Sequence, residues 1–284
     1  MQISEIATET VVTLVESDSL DKAIALMEEH GIHHLPVVDE QQIPVGMVSD
    51  RDLLGSAAWL SSTERMDSHD GMVIGPRQVF EIMSKPVYTL APEEPVEAGA
   101  RLMIRETVSA VPLVVDGCMA GVVTETDFLA CYTDDRLLEI DSSWRFQKVS
   151  DHLSAHVFSL KPNDVVVAAS RLMRDKQIRH VPILNEGRLV GIVSDRDVRQ
   201  ATFRDFLEYQ RDDGPMHQRL QRVNLLDIMN RRVQTVRLSS TLADAADRMI
   251  QSHIGSLPVV EQEQLVGVIT ETDLLRAFVQ GRES

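Results

Sequence analysis

The sequence is poor in aromatic side chains and has no long apolar run. Phe, Trp and Tyr make up 4% of the 284 residues, although apolar residues of all kinds reach 43%. A packed core must therefore be built mainly from Val, Ile, Leu, Met and Ala. No stretch of about 18 consecutive apolar residues exists, so we expect no membrane-spanning helix. The N-terminal sequence MQISEIATET lacks the basic and apolar regions of a secretory signal.

Cysteine and positive charge are also scarce. The two cysteines, Cys118 and Cys131, do not have the C-x-x-C spacing of a zinc or redox site. Two reduced thiols in the cytoplasm are the simpler interpretation, and a disulfide between them is the alternative. Acidic residues outnumber Lys and Arg by 44 to 28, which gives a formal net charge of −16. Such a surface repels nucleic acids and anionic membranes, but it permits a local basic pocket for a small anion.

One short pattern occurs four times along the chain. Its copies are GMVSDRDL, GVVTETDF, GIVSDRDV and GVITETDL, which start at residues 46, 121, 191 and 267. Each copy follows a methionine and, nine residues after that methionine, a proline: Met27 and Pro36, Met103 and Pro112, Met173 and Pro182, Met249 and Pro258. Landmarks at such near-constant spacing indicate four internal repeats.

The four repeats are not equivalent. The first and third contain SDRD, whereas the second and fourth contain TETD. Ser49 and Ser194 are 145 positions apart, and Thr124 and Thr270 are 146 apart. This alternation indicates that a two-repeat module was itself duplicated. We predict modules at 1–140 and 141–284, with repeats at about 1–60, 79–135, 146–205 and 222–284. Polar connectors are expected at 61–78, 132–147 and 204–222.

Each repeat has the pattern of a strand, a helix, two strands and a second helix. Short β-rich segments such as TVVTLVE begin the repeats. We predict a hairpin turn at Gly117 and at Gly187, and a mixed α/β (α+β) fold. The predicted helix N-caps are Asp18, Glu94, Asp164 and Ser240, with Pro95 at a first helical position. An apolar helical stripe is formed by Leu242, Ala245, Ala246, Met249 and Ile250.

These repeats resemble the cystathionine-β-synthase-like (CBS) repeat. The shared features are DIM at 227–229 (EIM at 81–83), an apolar strand containing proline, and G-h-h-[ST]-x-x-D, where h is apolar, before the last helix. The resemblance covers nearly the whole chain. It implies four β-α-β-β-α repeats paired into two Bateman modules, which would together form one disc. It also implies a regulator that binds AMP, ADP or ATP, the last with Mg²⁺, in clefts between paired repeats. The alternatives are an S-adenosylmethionine-binding regulator and a structural protein with degenerate clefts.

The resemblance also implies roles for individual residues. The aspartates that end the motif would bind ribose: Asp52, Asp127, Asp197 and Asp273. Motif hydroxyls and arginines would contact ribose or phosphate: Ser49, Thr124, Ser194, Thr270, Arg51 and Arg196. Basic residues before the proline would contact phosphate: His33, His34, Arg179 and His180. Residues of repeats two and four would line the adenine pocket: Val87, Tyr88, Val108, Ser109, Ala110, Val233, Ile254, Gly255 and Ser256.

The chemistry of the motif agrees with these roles. A carboxylate at a strand end can accept two hydrogen bonds from a ribose diol, and the following helix N-terminus suits phosphate. The aspartates could instead only cap the helices. We hypothesise that repeats two and four seat adenosine while repeats one and three supply cations. The other acidic residue of the motif is expected at a solvated turn: Asp50, Glu125, Asp195 and Glu271.

No sequence motif indicates catalysis or a metal. The patterns G-x-x-x-x-G-K-[ST] and G-x-S-x-G and the ligand set of an EF-hand are absent. Four near-identical carboxylate pairs do not suit one active site, which needs different residues in different roles. We therefore expect a non-enzymatic protein without catalytic residues. Its expected partners are the adenosine ligand and a regulated protein of unknown identity, and a homodimer stays open.

Overall fold

The computed structural model describes residues 1–53, 76–133, 143–198, 200–201 and 222–282. The three predicted connectors lie mostly outside these ranges. The helices are α1 (Leu20–His30), α2 (Val96–Glu106), α3 (Ala130–Thr133), α4 (Val166–Lys176), α5 (Leu225–Ile228), α6 (Leu242–Ser252) and α7 (Glu271–Arg282). Short 3-10 turns lie at Ile3–Glu5, Val79–Glu81, Asp127–Leu129, Ser143–Phe146 and Val149–Asp151.

The strands form four antiparallel hairpins. They pair β1 (His34–Val38) with β2 (Pro44–Ser49), β3 (Ala110–Val115) with β4 (Cys118–Thr124), β5 (His180–Asn185) with β6 (Arg188–Ser194), and β7 (Ser256–Glu261) with β8 (Gln264–Thr270). Gly117 and Gly187 lie at the predicted turns with φ of 84° and 80°, a conformation that glycine adopts without a steric cost. The predicted mixed fold with four repeats is confirmed.

The first strand of each repeat is shorter than predicted. Leu14, Leu90, Leu160 and Val236 each form one parallel bridge to the hairpin of their own repeat. Leu14, for example, donates to the Pro36 carbonyl and accepts from the Val38 N–H. In a parallel pair, the same residue can both donate and accept a backbone hydrogen bond. One residue of each segment therefore makes both bonds to the hairpin, and the rest of the segment is extended chain.

Each of the long first helices begins one residue later than the sequence predicted. The N-caps are Ser19, Pro95, Val165 and Thr241. The hydroxyl of Ser19 accepts from the Lys22 N–H at 3.2 Å. The predicted caps Asp18, Glu94, Asp164 and Ser240 are therefore wrong. Side chains of three of them instead close the preceding turn: Asp18 accepts from Val15 N–H, Asp164 from Lys161 N–H and Ser240 from Arg237 N–H.

The segment that leads into each repeat crosses to the hairpin of another repeat. Thr8 pairs with Val122 and Ser84 with Met47, which links repeats one and two. Ser154 pairs in the same way with Val268, and Asn230 with Ile192, which links repeats three and four. Each repeat therefore depends on a second repeat to complete its sheet.

The motif glycine is the point at which this crossing takes place. A Cβ built on Gly46 would lie 2.3 Å from the Met83 sulfur, and one on Gly191 would lie 2.6 Å from the Met229 sulfur. Each methionine belongs to the EIM or DIM sequence of the repeat that crosses. The glycine of the G-h-h-[ST]-x-x-D pattern and the methionine of EIM or DIM therefore contact each other. Any side chain in place of the glycine hydrogen would displace the methionine.

The buried apolar residues form one shared core and two separate ones. Repeats two and four share a continuous core, whereas repeats one and three each have their own, within the ranges described above. Aromatic rings join the shared core: Phe128 and Phe278 are 5.9 Å apart between centroids, and Trp144 lies 4.7 Å from Tyr132. The Tyr132 hydroxyl also donates to the Leu274 carbonyl. Four of the described aromatic side chains therefore pack together where repeats two and four meet.

Both cysteines are free thiols, as the sequence analysis favoured. Cys118 is exposed in the second hairpin, and Cys131 is buried in α3. Burial raises the pKa of the Cys131 thiol to about 12, so this thiol stays protonated at neutral pH.

Replacing Trp144 tests the shared core. Trp144 is 5% exposed and contacts Tyr132 and Phe278. We expect Trp144→Ala to lower the free energy of unfolding by about 3–5 kcal/mol in urea titrations followed by circular dichroism. The matched control is Phe146→Ala two residues away, because Phe146 is 57% exposed; its effect should stay within about 0.5 kcal/mol. Equal effects would contradict a core that joins repeats two and four.

Candidate ligand-binding clefts

The Ser/Thr-x-x-Asp motif has the same local geometry in all four repeats. In repeat one, Asp52 Oδ2 accepts from the Ser49 backbone N–H at 2.8 Å and from its hydroxyl at 2.6 Å. The equivalent pairs are Thr124 with Asp127, Ser194 with Asp197, and Thr270 with Asp273, with distances between 2.7 and 3.0 Å. In the fourth repeat, Arg276 also contacts Asp273 Oδ1 at 3.3 Å. The motif therefore holds each carboxylate through one oxygen.

These carboxylates lie at partly desolvated positions. Burial raises the pKa of Asp52, Asp127 and Asp273, and the hydrogen bonds from the motif Ser or Thr oppose that shift. Holding such a carboxylate ionised costs free energy that a hydrogen-bond donor can offset. A ligand with paired hydroxyl groups offers such donors.

The smaller of two clefts lies between repeats one and two. It has a volume of about 150 Å³. Ser49, Arg51 and Asp52 of repeat one line it together with Val87, Tyr88 and residues 108–110 of repeat two. The candidate ribose carboxylate and the candidate adenine wall therefore come from different repeats.

The larger cavity has a volume of about 880 Å³ and receives residues from all four repeats. Ser194 and Asp197 of repeat three share it with Val233 and residues 254–256 of repeat four. Thr124 and Asp127 also line this cavity, whereas Thr270 and Asp273 line neither of the two.

The grouping of candidate residues thus differs from our hypothesis for repeats two and four. The small, uncharged wall of repeat two shares the smaller cleft with Asp52, the wall of repeat four shares the larger cavity with Asp197 and Asp127, and Asp273 lines neither. The crossing of the lead-in segments is the physical reason, since it brings the start of one repeat beside the hairpin end of another. The repeat pattern alone did not reveal this exchange.

The predicted basic residues gather where repeats one and three approach each other. His34 and Arg179 line both cavities, whereas His33, His180 and Arg196 line the larger one. Arg179 Nη2 donates to the Ser109 hydroxyl at 2.6 Å and lies 3.5 Å from Glu125 Oε2. An arginine of repeat three therefore reaches the cleft between repeats one and two.

The second acidic residue of the motif is buried, so the prediction of a solvated turn is wrong. The exposed fractions of Asp50, Glu125, Asp195 and Glu271 are 3%, 6%, 7% and 8%. The Thr126 hydroxyl donates to Glu271 at 2.7 Å, and the Thr272 hydroxyl donates to Glu125 at 2.6 Å. These reciprocal bonds join the two TETD copies, which belong to repeats two and four. No signal within one repeat marks this burial, because acidic side chains are mostly exposed and the partners of Glu125 and Glu271 lie in another repeat.

The charges of this junction depend on burial. Burial lowers the pKa of His34 to about 3 and of His180 to about 4, and the positive charge of Arg179 adds to both shifts. Burial would raise the pKa of Asp50, but its 2.9 Å contact with His33 Nδ1 and the nearby positive charges hold it well below its usual range. Burial raises the pKa of Glu271. At neutral pH, His34 and His180 are therefore uncharged and can accept as well as donate hydrogen bonds.

No group of three or more His, Cys, Asp or Glu side chains in the described ranges could hold a metal ion. Among those same residues, no helix is long and apolar enough to cross a membrane.

Comparison with known proteins gives one family match and several relatives. The model of the CBS domain matches residues 3–58, 79–134, 149–204 and 225–280. Uncharacterized protein MJ1225 of Methanocaldococcus jannaschii is 26% identical over 274 residues, which cover 94% of this chain and 95% of the relative. Uncharacterized protein MJ1404 of the same organism is 30% identical over 281 residues, which cover 96% of this chain but 61% of the relative.

Two solved structures share the fold over nearly the whole chain. The crystal structure of MJ1225, a protein that has been put forward as an archaeal homologue of g-AMPK, superposes with a TM-score of 0.81 at 24% identity, covering 98% of this chain and all of that one. A conserved protein from Pyrococcus horikoshii has a TM-score of 0.63 at 19% identity and covers 97% of this chain and 99% of its own.

The lowered pKa of His180 predicts a pH dependence of stability. The unfolded chain protonates this histidine near pH 6.5, whereas the folded chain does so near 4. Stability is therefore lost as the pH falls through this window, because the unfolded state binds the proton first. We compare the free energy of unfolding of His180→Gln with that of the wild type in urea titrations between pH 7.5 and 5. For each pH unit below 6.5, we expect the variant to become more stable relative to the wild type by up to about 1.4 kcal/mol. The control is His30→Gln, because His30 is exposed and its loss tests the effect of removing any histidine. A difference in unfolding free energy between His180→Gln and the wild type that stays constant with pH would contradict the prediction.

Proposed function

The chain belongs to the CBS domain family, and on that premise we propose that it is a regulatory protein that binds adenosine nucleotides. The observation that carries the proposal is the composition of the two clefts. In each, a motif carboxylate and hydroxyl from one repeat share a cleft with a wall of small residues from the paired repeat. A flat base can lie against such a wall while the carboxylate accepts from a ribose.

Asp52 and Asp197 are the first candidates for the ribose contact, because each shares a cleft with the small-residue wall of the repeat whose lead-in segment pairs with its own hairpin. Each carboxylate is already fixed by its Ser hydroxyl and backbone N–H. Binding therefore requires little reorganisation of the side chain, which lowers the free-energy cost of association. Capping of the helix and binding of ribose are compatible, since the two functions can use different oxygens of one carboxylate.

Phosphate would lie toward the basic residues at the junction. In the smaller cleft, Arg51, His34 and Arg179 are available. In the larger cavity, His33, His180 and Arg196 are added. AMP, ADP and ATP share the adenosine that both clefts would hold, and ATP would bring Mg²⁺ with its phosphates. Because these nucleotides share the ribose and the base, the same clefts could bind each of them.

We propose that the modules are 1–140 and 141–284 and that occupancy changes their relative geometry. A ligand changes geometry by binding one arrangement more tightly than another. Arg179 contacts Ser109 across the module boundary, so an anion that attracts Arg179 would compete with this contact. A regulated protein would sense the result. We also propose that the chain acts in the cytoplasm and has no catalytic role. Native mass spectrometry would measure whether two copies of the chain form a homodimer.

Asn variants of the two aspartates test the proposal. Asp52→Asn and Asp197→Asn keep a side-chain oxygen for the motif N–H but remove the charge-assisted contact with ribose. We expect each to weaken AMP, ADP or ATP binding at its own cleft by about tenfold or more in calorimetric titrations. The control is Asp175→Asn, because Asp175 is exposed and lines neither cleft.

The outcomes separate the alternatives. Unchanged affinity in both variants would leave the aspartates as helix caps only. Tight binding of S-adenosylmethionine instead of the nucleotides would assign the clefts to that ligand. A wild-type protein that binds no adenosine compound, and carries none in native mass spectrometry, would contradict the proposed function. Hydrolysis of ATP by the wild type would contradict the proposed absence of catalysis.

A further inference from the structure

Arg232, in the segment that leads into repeat four, lines the larger cavity. Its backbone N–H donates to Asn230 Oδ1 at 2.9 Å. Asn230 is itself fixed to Ile192 of β6 by two backbone hydrogen bonds of 2.9 and 3.0 Å. The backbone at Arg232 is therefore held beside the hairpin that ends in the motif of repeat three. Arg232 belongs neither to that motif nor to the basic residues before the proline.

The charge of Arg232 is available to a ligand. The residue is exposed, and its guanidinium forms no hydrogen bond or ion pair with the residues that the structure describes. Arg179, which also lines this cavity, already donates to the Ser109 hydroxyl and lies beside Glu125. Burial lowers the pKa of His180 to about 4, so this histidine is uncharged at neutral pH. An anion can therefore contact Arg232 without breaking a contact within the described ranges.

Carboxylates that would repel a phosphate also line the larger cavity. Four of them are buried, and each is already in a hydrogen bond within the protein: Asp50, Glu125, Asp195 and Glu271. They are between 3% and 8% exposed, whereas Arg232 belongs to the exposed residues. An anion that enters the cavity therefore reaches the guanidinium of Arg232 more readily than it reaches these carboxylates.

The smaller cleft has a proline at the equivalent position. The lead-in segments of repeats two and four bridge to their partner hairpins at Ser84 and Asn230. Two residues later stand Pro86 and Arg232, and each lines the cavity of its own repeat pair. Proline offers neither a charge nor a backbone N–H. The lead-in segment therefore adds a cation to the larger cavity and none at this position to the smaller cleft.

The two cavities differ in size in the same direction as they differ in charge. The SDRD motif supplies one arginine to each, Arg51 to the smaller cleft and Arg196 to the larger cavity. The smaller cleft has a volume of about 150 Å³ and the larger cavity one of about 880 Å³. Sites for small molecules commonly have volumes of about 300–1,000 Å³. A chain of two or three phosphates needs room and a second cation, and the larger cavity offers both.

We propose that Arg232 binds the phosphates of ADP or ATP beyond the first one and makes the larger cavity select these nucleotides over AMP. This inference rests on the proposed function and deepens it, because it assigns a ligand preference to a residue outside the motif. The guanidinium can donate two parallel, charge-assisted hydrogen bonds to a phosphate group. AMP has no phosphate beyond the first, so its binding does not depend on this contact.

The test is Arg232→Gln, with Arg231→Gln as the matched control. Arg231 carries the same charge one residue earlier, lines neither cavity and donates to the Leu226 carbonyl at 3.3 Å. ATP and AMP are titrated separately by calorimetry, at one Mg²⁺ concentration, into the Asp52→Asn chain with and without each substitution, so that the signal reports the larger cavity. We expect Arg232→Gln to weaken ATP binding by about tenfold and to leave AMP affinity within about twofold. Arg231→Gln should change neither affinity.

Several results would overturn the inference and leave the proposed function intact. Equal losses of ATP and AMP affinity in Arg232→Gln would place the arginine at the base or the ribose, which both nucleotides share. Unchanged ATP affinity in that variant, or tighter binding of AMP than of ATP before the substitution, would show that Arg232 does not select by phosphate number. An equal loss in Arg231→Gln would assign the effect to net charge. Failure of the wild type to bind any adenosine compound would overturn the inference together with the proposed function.

Discussion

The exchange of lead-in segments between paired repeats is the constraint on which the other features depend. Thr8 and Val122 exchange two backbone hydrogen bonds of 2.9 and 3.0 Å, and Ser84 and Met47 exchange two of 2.8 and 3.2 Å. Since backbone groups in a buried sheet must be paired, a repeat without its partner would leave these groups unsatisfied. The exchange also builds the clefts, because it brings the wall of one repeat to the motif of the other.

The two kinds of junction in the molecule have opposite chemistry. Repeats two and four meet through aromatic and aliphatic side chains, which resist separation because apolar surface would become exposed. Close to this apolar junction lie the buried carboxylates of Glu125 and Glu271, each of which accepts from a threonine of the other repeat. Arg179 of repeat three lies 3.5 Å from the Glu125 carboxylate.

The sequence predicted what is local and repeated. The hairpin turns at Gly117 and Gly187, the buried stripe of α6 and the order of elements follow from spacing and side-chain type within one repeat. The sequence did not predict which small-residue wall faces which aspartate. That arrangement depends on a partner repeat whose equivalent residues lie about 75 positions away along the chain. The burial of Glu125 and Glu271 was missed for the same reason, since their hydrogen-bond partners lie in another repeat far along the chain. The N-caps were misplaced by one residue because aspartate is favoured both at a helix N-cap and in a turn. Asp18 and Asp164 close the turn before the helix instead.

The core shared by repeats two and four has a consequence for how the chain comes apart. The duplication suggests two halves, yet the largest cooperative unit runs across them, from α2 and α3 to α6 and α7. The helices and hairpins of repeats one and three have smaller cores of their own, although the lead-in residues Ile3 and Val149 are buried in the shared core. Partial unfolding should therefore begin in the helices and hairpins that carry Asp52 and Asp197, while their lead-in segments stay with the shared core. The clefts would open by loss of these hairpins, and a bound ligand would protect them from exchange and proteolysis.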